Sequence, residues 1–188
     1  MLALITAEEF IDQRYDLPDA GQWSELDRGI VTHFQPPDSD HGNVIRNLSR
    51  ALGLYVQNGG VGYACFDLGI AIKRRPDTLR FPAACYFVEG PRFAEVDKPF
   101  TETAPAVVIE LASTNDRRRG MTDRVLGYHE HGTAMVWVID PKEKCVHVCP
   151  RGQKTEVLTS DLTLRGDSEV PHFAVAVEDL FTEPDWWK

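Results

Sequence analysis

The segment Val107-Val108-Ile109-Glu110-Leu111-Ala112-Ser113-Thr114 sets one carboxylate inside an otherwise apolar run. A short continuous apolar stretch of this length has the pattern of a strand buried on both faces. Burying a lone carboxylate costs several kcal/mol or more unless it is paired, hydrogen-bonded or metal-bound. Glu110 is therefore either salt-bridged or a site residue, and Arg124 is the obvious cation to pair with it.

The rest of the chain organises around that strand. Thr6, with Glu9 three residues later, predicts a capped first helix. Leu17 to Gly21 breaks it, and Trp23 to Val31 forms two short strands about a turn at Arg28-Gly29. Pro36-Pro37 stops the second strand. A long helix follows from about Asp38 to Asn58, with Val44, Leu48, Ala51, Leu52 and Tyr55 on one face at helical spacing. Tyr63–Ile72 and Arg80–Val88 are two strands joined by a hairpin loop at 73–78, and Glu89 to Thr103 is irregular. After the Glu110 strand, 115–120 is a loop and Thr122 to His131 a helix closed by Gly132. Ala134–Asp140, Cys145–Cys149 and Thr155–Leu158 continue the sheet, and Val177–Phe181 is a short docking helix. The expected fold is a single α/β (α+β) domain over 1–188: a mixed, largely antiparallel sheet flanked by helices. Its one strand–helix–strand unit, Val107 to Asp140, crosses right-handedly.

Composition narrows the function classes. Apolar residues make up 43% of the 188 positions, enough for a real core. A net charge of −9, from 29 acidic and 20 basic residues, argues against a broad basic face for nucleic acid but leaves room for a local basic groove. No run approaches the roughly 18 to 20 apolar residues of a membrane span, so no membrane partner and a cytoplasmic location are expected. Cys65, Cys85, Cys145 and Cys149 lack CxxC spacing and sit in strand-like runs, as buried thiols of a reducing compartment would.

The order of short motifs resembles the Uma-type restriction endonuclease family of bacteria, whose fold is that of PD-(D/E)xK nucleases. The similar positions run from about Trp23 to Phe181. They include Glu25-Leu26 with Gly29, then Pro36-Pro37 with His41-Gly42, then Asp77-Thr78, Arg80 and Pro82. Ala104-Pro105 with Val108-Ile109-Glu110-Leu111-Ala112-Ser113 follows, and Tyr128, Gly132 and Val136 to Pro141 close the match. The resemblance implies metal-assisted hydrolysis of DNA, with Mg²⁺ or Mn²⁺ held by carboxylates at the ends of adjacent strands and a lysine stabilising the developing charge.

Carried over residue by residue, the implied machinery is incomplete. The family's aspartate after proline falls at Ala83, whose methyl cannot bind a cation. Its central glutamate is Glu110; its lysine is replaced by Arg124, which keeps the charge but cannot act as a base. A further glutamate after the first hairpin glycine falls at Ile30, leaving Glu25 as the other candidate metal ligand, while His41 matches a histidine before the long helix. The candidate catalytic set is Glu110, Arg124, Glu25 and His41, with Glu110 and Glu25 as metal ligands; Asp67 or Asp77 would have to migrate in to enlarge it. A degenerate endonuclease is expected, and the alternative is a non-catalytic binding or regulatory protein of the same fold, as a homodimer.

Each candidate also has a plainer account. Arg124 neutralises Glu110 where metal once did; Glu25 is an exposed edge carboxylate; His41 faces solvent in a first helical turn. Arg117, Arg118 and Arg119 either contact DNA phosphates, which position without reading sequence, or form a solvated loop. Cys145, His147 and Cys149 share one strand face at about 6.8 Å intervals, too far apart to converge on a zinc ion at about 2.0 to 2.3 Å.

Overall fold

The computed structural model describes residues 4–187, apart from the side chain of Trp187. Thr6 caps helix α1 (Ala7–Gln13): its side chain accepts from the Glu9 amide, and the Glu9 carboxylate accepts from the Thr6 amide in return. Strands β1 (Ser24–Asp27) and β2 (Ile30–His33) form a hairpin with a two-residue turn. Arg28 and Gly29 both take positive φ there (49° and 78°), the conformation whose twist matches the flanking strands. Asp38 caps α2 (Ser39–Gln57).

Beyond α2 the structure departs from the expected single sheet. The stretch Tyr63–Ile72 is broken into β3 (Tyr63–Cys65) and β4 (Gly69–Lys73), with Asp67 at φ 54° between them. The stretch Arg80–Val88 is likewise broken into β5 (Thr78–Arg80) and β6 (Ala84–Phe87), across Pro82, which has no N–H to give a ladder. At each break the chain changes sheets. One sheet has the order β2-β1-β5-β4-β7, where β7 is Phe100–Thr101. The other runs β11-β10-β9-β8-β6-β3, with β8 Val107–Leu111, β9 Met135–Asp140, β10 Cys145–Pro150 and β11 Glu156–Leu158. Pairing is antiparallel except for β8 with β9 and β4 with β7. A third, two-stranded sheet, β12 (Thr163–Arg165) with β13 (Ala174–Ala176), was not expected. The mixed, mostly antiparallel α+β class holds, distributed over three sheets rather than one.

Residues 115–120 are also not a simple loop. Asn115–Arg119 forms a short helix, α3, started by the Arg118 amide bonding the Thr114 carbonyl and separated at Gly120 from α4 (Met121–His131). The last helix, α5, spans Val177–Phe181 as expected.

Strand alternation decides what Glu110 meets. Val107, Ile109 and Leu111 point to the α2 side, into a cluster with Val44, Leu48, Leu52 and Trp137. Val108 and Ala112 point the other way, into a cluster with Tyr128, Met121 and Val136. Glu110 shares the face of Val108 and Ala112, so it is directed at α4 rather than at the long helix. Each fully buried Leu or Val contributes about 1.5–3 kcal/mol, and together they hold β8 rigid beneath the carboxylate.

Candidate functional site

Glu110 is 1% exposed, and its Oε1 accepts three hydrogen bonds: from Arg124 Nε (2.9 Å), Arg124 Nη2 (2.6 Å) and Tyr128 Oη (2.6 Å). Both donors stand on α4 one turn apart, the spacing that puts two side chains on one helix face. The Glu110–Arg124 pair anticipated from the sequence is therefore present.

Glu25 is no edge carboxylate. It is fully buried, and through Arg124 it joins the same cluster. Its two oxygens receive Arg124 Nη1 (2.5 Å) and Nη2 (2.8 Å), Arg117 Nη1 (3.0 Å), the Phe81 amide (2.9 Å) and Arg80 Nη1 (3.4 Å). Burial alone would push the Glu25 carboxyl up. The attraction of Arg124 and Arg117, with the Arg124 hydrogen bonds, outweighs it and holds the group well below its ordinary 4.5. Arg124 is opposed by burial in the same way, and Glu110 and Glu25 hold its proton far above the usual arginine range. Tyr128, buried and beside Glu110, is pushed well above 10. Neither Arg124 nor Tyr128 can release a proton near neutral pH.

The arginine triplet is divided, which corrects the expectation of a common phosphate-contacting or solvated loop. Because 115–119 is helical, Arg117 turns inward onto Glu25 and lies over the Phe34 ring at 4.2 Å. Arg118 makes a two-pronged pair with Asp140 (2.8 and 3.1 Å). Arg119 alone of the three is exposed. His41, at the start of α2, is half-buried rather than solvent-facing. Its Nδ1 lies 2.8 Å from Ser113 Oγ, and its ring packs edge-on against Trp23. Burial and then Arg117 pull its pKa down to about 4.

A cleft of about 380 Å³ opens over this network, with Ala83, Glu110, Arg117, His41 and Ser113 in its walls. Ile30 does not line it: that residue is 44% exposed on the edge strand. Asp67 lines the cleft but its side chain is 70% exposed and paired with Arg14. Asp77 is committed elsewhere, accepting from the Ala7 and Arg75 amides and from Arg74. On β10, Cys145 Sγ is 3.6 Å from His147 Nε2, while Cys149 turns to the His147 carbonyl and Thr155.

The divalent ion implied by the family resemblance does not fit these residues. Glu25 has both oxygens saturated by donors, Ala83 offers a methyl, and a cation on the remaining Glu110 oxygen would sit beside Arg117 Nη1, 3.9 Å from that oxygen. Among the described residues, no group of three His, Cys, Asp or Glu side chains is placed to share a metal.

The family described as "Putative restriction endonuclease" (Uma2) matches residues 7–178, nearly the whole chain. The chain belongs to the Uma2 family. A solved structure with the same fold is a crystal structure of a "putative nuclease belonging to DUF820" from Anabaena variabilis. It is 24% identical, with a TM-score of 0.73 over 91% of this chain and 96% of that one. No functionally curated protein matches this Uma2 chain. Among the described residues no helix is long and apolar enough to cross a membrane.

Sequence reasoning missed Tyr128, Arg117 and Arg80 as members of the network and Ser113 as the partner of His41. For Tyr128 a signal existed: it follows Arg124 by four residues on a predicted helix. Nothing local marks Arg117 or Arg80, whose partner Glu25 is distant in sequence.

Proposed function

We propose that this Uma2 protein has lost metal-dependent phosphodiester hydrolysis and keeps the cleft over Glu110 for binding. One observation carries the reading: the Arg124 guanidinium bridges Glu110 and Glu25 with four hydrogen bonds, engaging both Glu25 oxygens and Oε1 of Glu110, three of the four carboxylate oxygens a divalent ion would draw on. An arginine so placed supplies charge balance without chemistry, because its planar fork neither binds metal nor takes up a proton. DNA is the partner to test first, since family membership suggests it.

The experiment is a calorimetric titration with Mn²⁺ of the natural protein and of Glu110→Ala, followed by plasmid cleavage with Mg²⁺ and Mn²⁺. Neither protein is expected to show a stoichiometric site, and the plasmid should stay intact. A site of tens of micromolar or tighter (about −6 kcal/mol or stronger) that disappears in Glu110→Ala would overturn the reading and restore the metal-dependent endonuclease.

A further inference from the structure

One carboxylate oxygen of the network takes no hydrogen bond from a described residue and belongs to a side chain that lines the cleft. Oε1 of Glu110 takes three hydrogen bonds, whereas Oε2 accepts none from any described residue; its one charged neighbour is Arg117 Nη1 at 3.9 Å. Glu110 is 1% exposed and is part of the wall of the 380 Å³ cleft, a volume suited to a small ligand. A carboxylate oxygen without a protein donor, on a side chain in the wall of a cleft, can accept a hydrogen bond from whatever occupies it.

The surroundings restrict that donor. A metal ion or an ammonium on Oε2 would be brought against the Arg117 guanidinium, so a neutral N–H is preferred over a cation. The same cleft is lined by Ser113 and His41, whose Oγ and Nδ1 are bonded to each other at 2.8 Å. Whichever of them donates, a neutral pair leaves one further donor and one further acceptor free. Trp23 and Phe66 contribute aromatic lining, which suits a flat ring.

We propose that the cleft binds a planar, uncharged heterocycle carrying an exocyclic amino group, the amino-bearing edge of a nucleobase, with that N–H donated to Glu110 Oε2. The proposal rests on the metal-free reading above. The same chemistry is available from a free nucleoside or from an unpaired base in a single strand.

The test titrates the full chain with adenosine and cytidine, against inosine and uridine, which carry a carbonyl oxygen where the amino group was. A second arm uses short single strands of deoxycytidine against deoxythymidine. Binding of at least one amino nucleoside, or of the deoxycytidine strand alone, with a preference over its oxo counterpart of about tenfold or more, supports the proposal. Which arm responds identifies the source. Glu110→Gln, whose amide can donate to a carbonyl, is expected to narrow that preference. Ala83→Leu, which fills the cleft without touching the ion pairs, is expected to abolish binding while the circular dichroism is unchanged. Equal binding of amino and oxo forms, binding that survives Ala83→Leu, or no binding in either arm overturns the proposal. A Mn²⁺ site lost in Glu110→Ala would instead overturn the reading beneath it, whatever the nucleosides do.

Discussion

Arg124→Met removes the one side chain among the described residues that hydrogen-bonds both buried carboxylates and replaces it with an apolar chain of similar reach. The two carboxylates are not left equally bare. Glu25 keeps Arg117, Arg80 and the Phe81 amide. Among the described residues Glu110 keeps only the Tyr128 hydroxyl as a hydrogen-bond donor, so the loss is concentrated there. Stranding one member of a buried pair costs about 3–5 kcal/mol, a large part of the roughly 5–15 kcal/mol that holds a domain folded. With a urea slope of about 2 kcal/mol per molar, the unfolding midpoint is expected to fall by about 1.5–2.5 M at neutral pH. The assay is equilibrium urea unfolding of the natural protein, Arg124→Met, Glu110→Gln and the double variant. If the cost comes from the uncompensated charge, Glu110→Gln restores part of the stability that Arg124→Met removes, and the cycle shows a coupling of about 2 kcal/mol. A loss below about 1 kcal/mol, or strictly additive single variants, would refute the idea that Arg124 is what makes the buried carboxylates tolerable.

Three further outcomes follow from the same geometry. Glu25 titrates lower in the folded state than its ordinary 4.5, so the stability it contributes is complete above about pH 4.5 and is lost as pH falls toward its folded value. The urea midpoint should therefore drop between about pH 6 and pH 3, and less so in Glu25→Gln; an unchanged drop in that variant would refute the assignment. Tyr128→Phe deletes a buried hydrogen bond to a carboxylate and should cost about 1.5–3 kcal/mol in the same assay, whereas a change within error would place the hydroxyl outside the network. Burial pushes the Cys65 thiol up to about 11 and the Cys85 thiol well above 9, so an aromatic disulfide reagent should label them only once urea is added, and prompt labelling of the native protein would contradict their burial.

Local signals carried most of the element order. The Thr6–Glu9 box, the Arg28-Gly29 turn, the helical spacing of α2 and the apolar run of β8 each involve residues close in sequence, and each matches the structure. The breaks at Asp67 and Pro82 were not legible, because an apolar stretch does not record that its two halves belong to different sheets. Those breaks matter for the site: they put β1 beside β5 and thereby carry Glu25 toward Glu110, a juxtaposition that no spacing in the sequence encodes. The isolated Glu110 in its apolar run was legible as a buried charge with Arg124 as its counterpart. The remaining donors come from β5, α3 and α4 together, a tertiary arrangement.

Ala83 and Arg124, at the positions where the family resemblance implies an aspartate and a lysine, are physically coherent with one another. A divalent cation and a guanidinium answer the same problem, two buried carboxylates, by different means. The cation needs oxygen ligands converging from several sides, and Ala83 withdraws one that the family resemblance assigns to that position. A guanidinium needs only in-plane acceptors, and Glu110 and Glu25 suffice. A lysine at 124 would be a point charge with three donors and could not span both carboxylates in this fork-like way. Nor would an aspartate at 83 by itself remake a metal site, since both Glu25 oxygens would stay engaged by Arg124, Arg117 and the Phe81 amide. Among the described residues the buried charges thus balance one another within the chain, and the one Glu110 oxygen without a hydrogen bond from them is where the proposed ligand would bind.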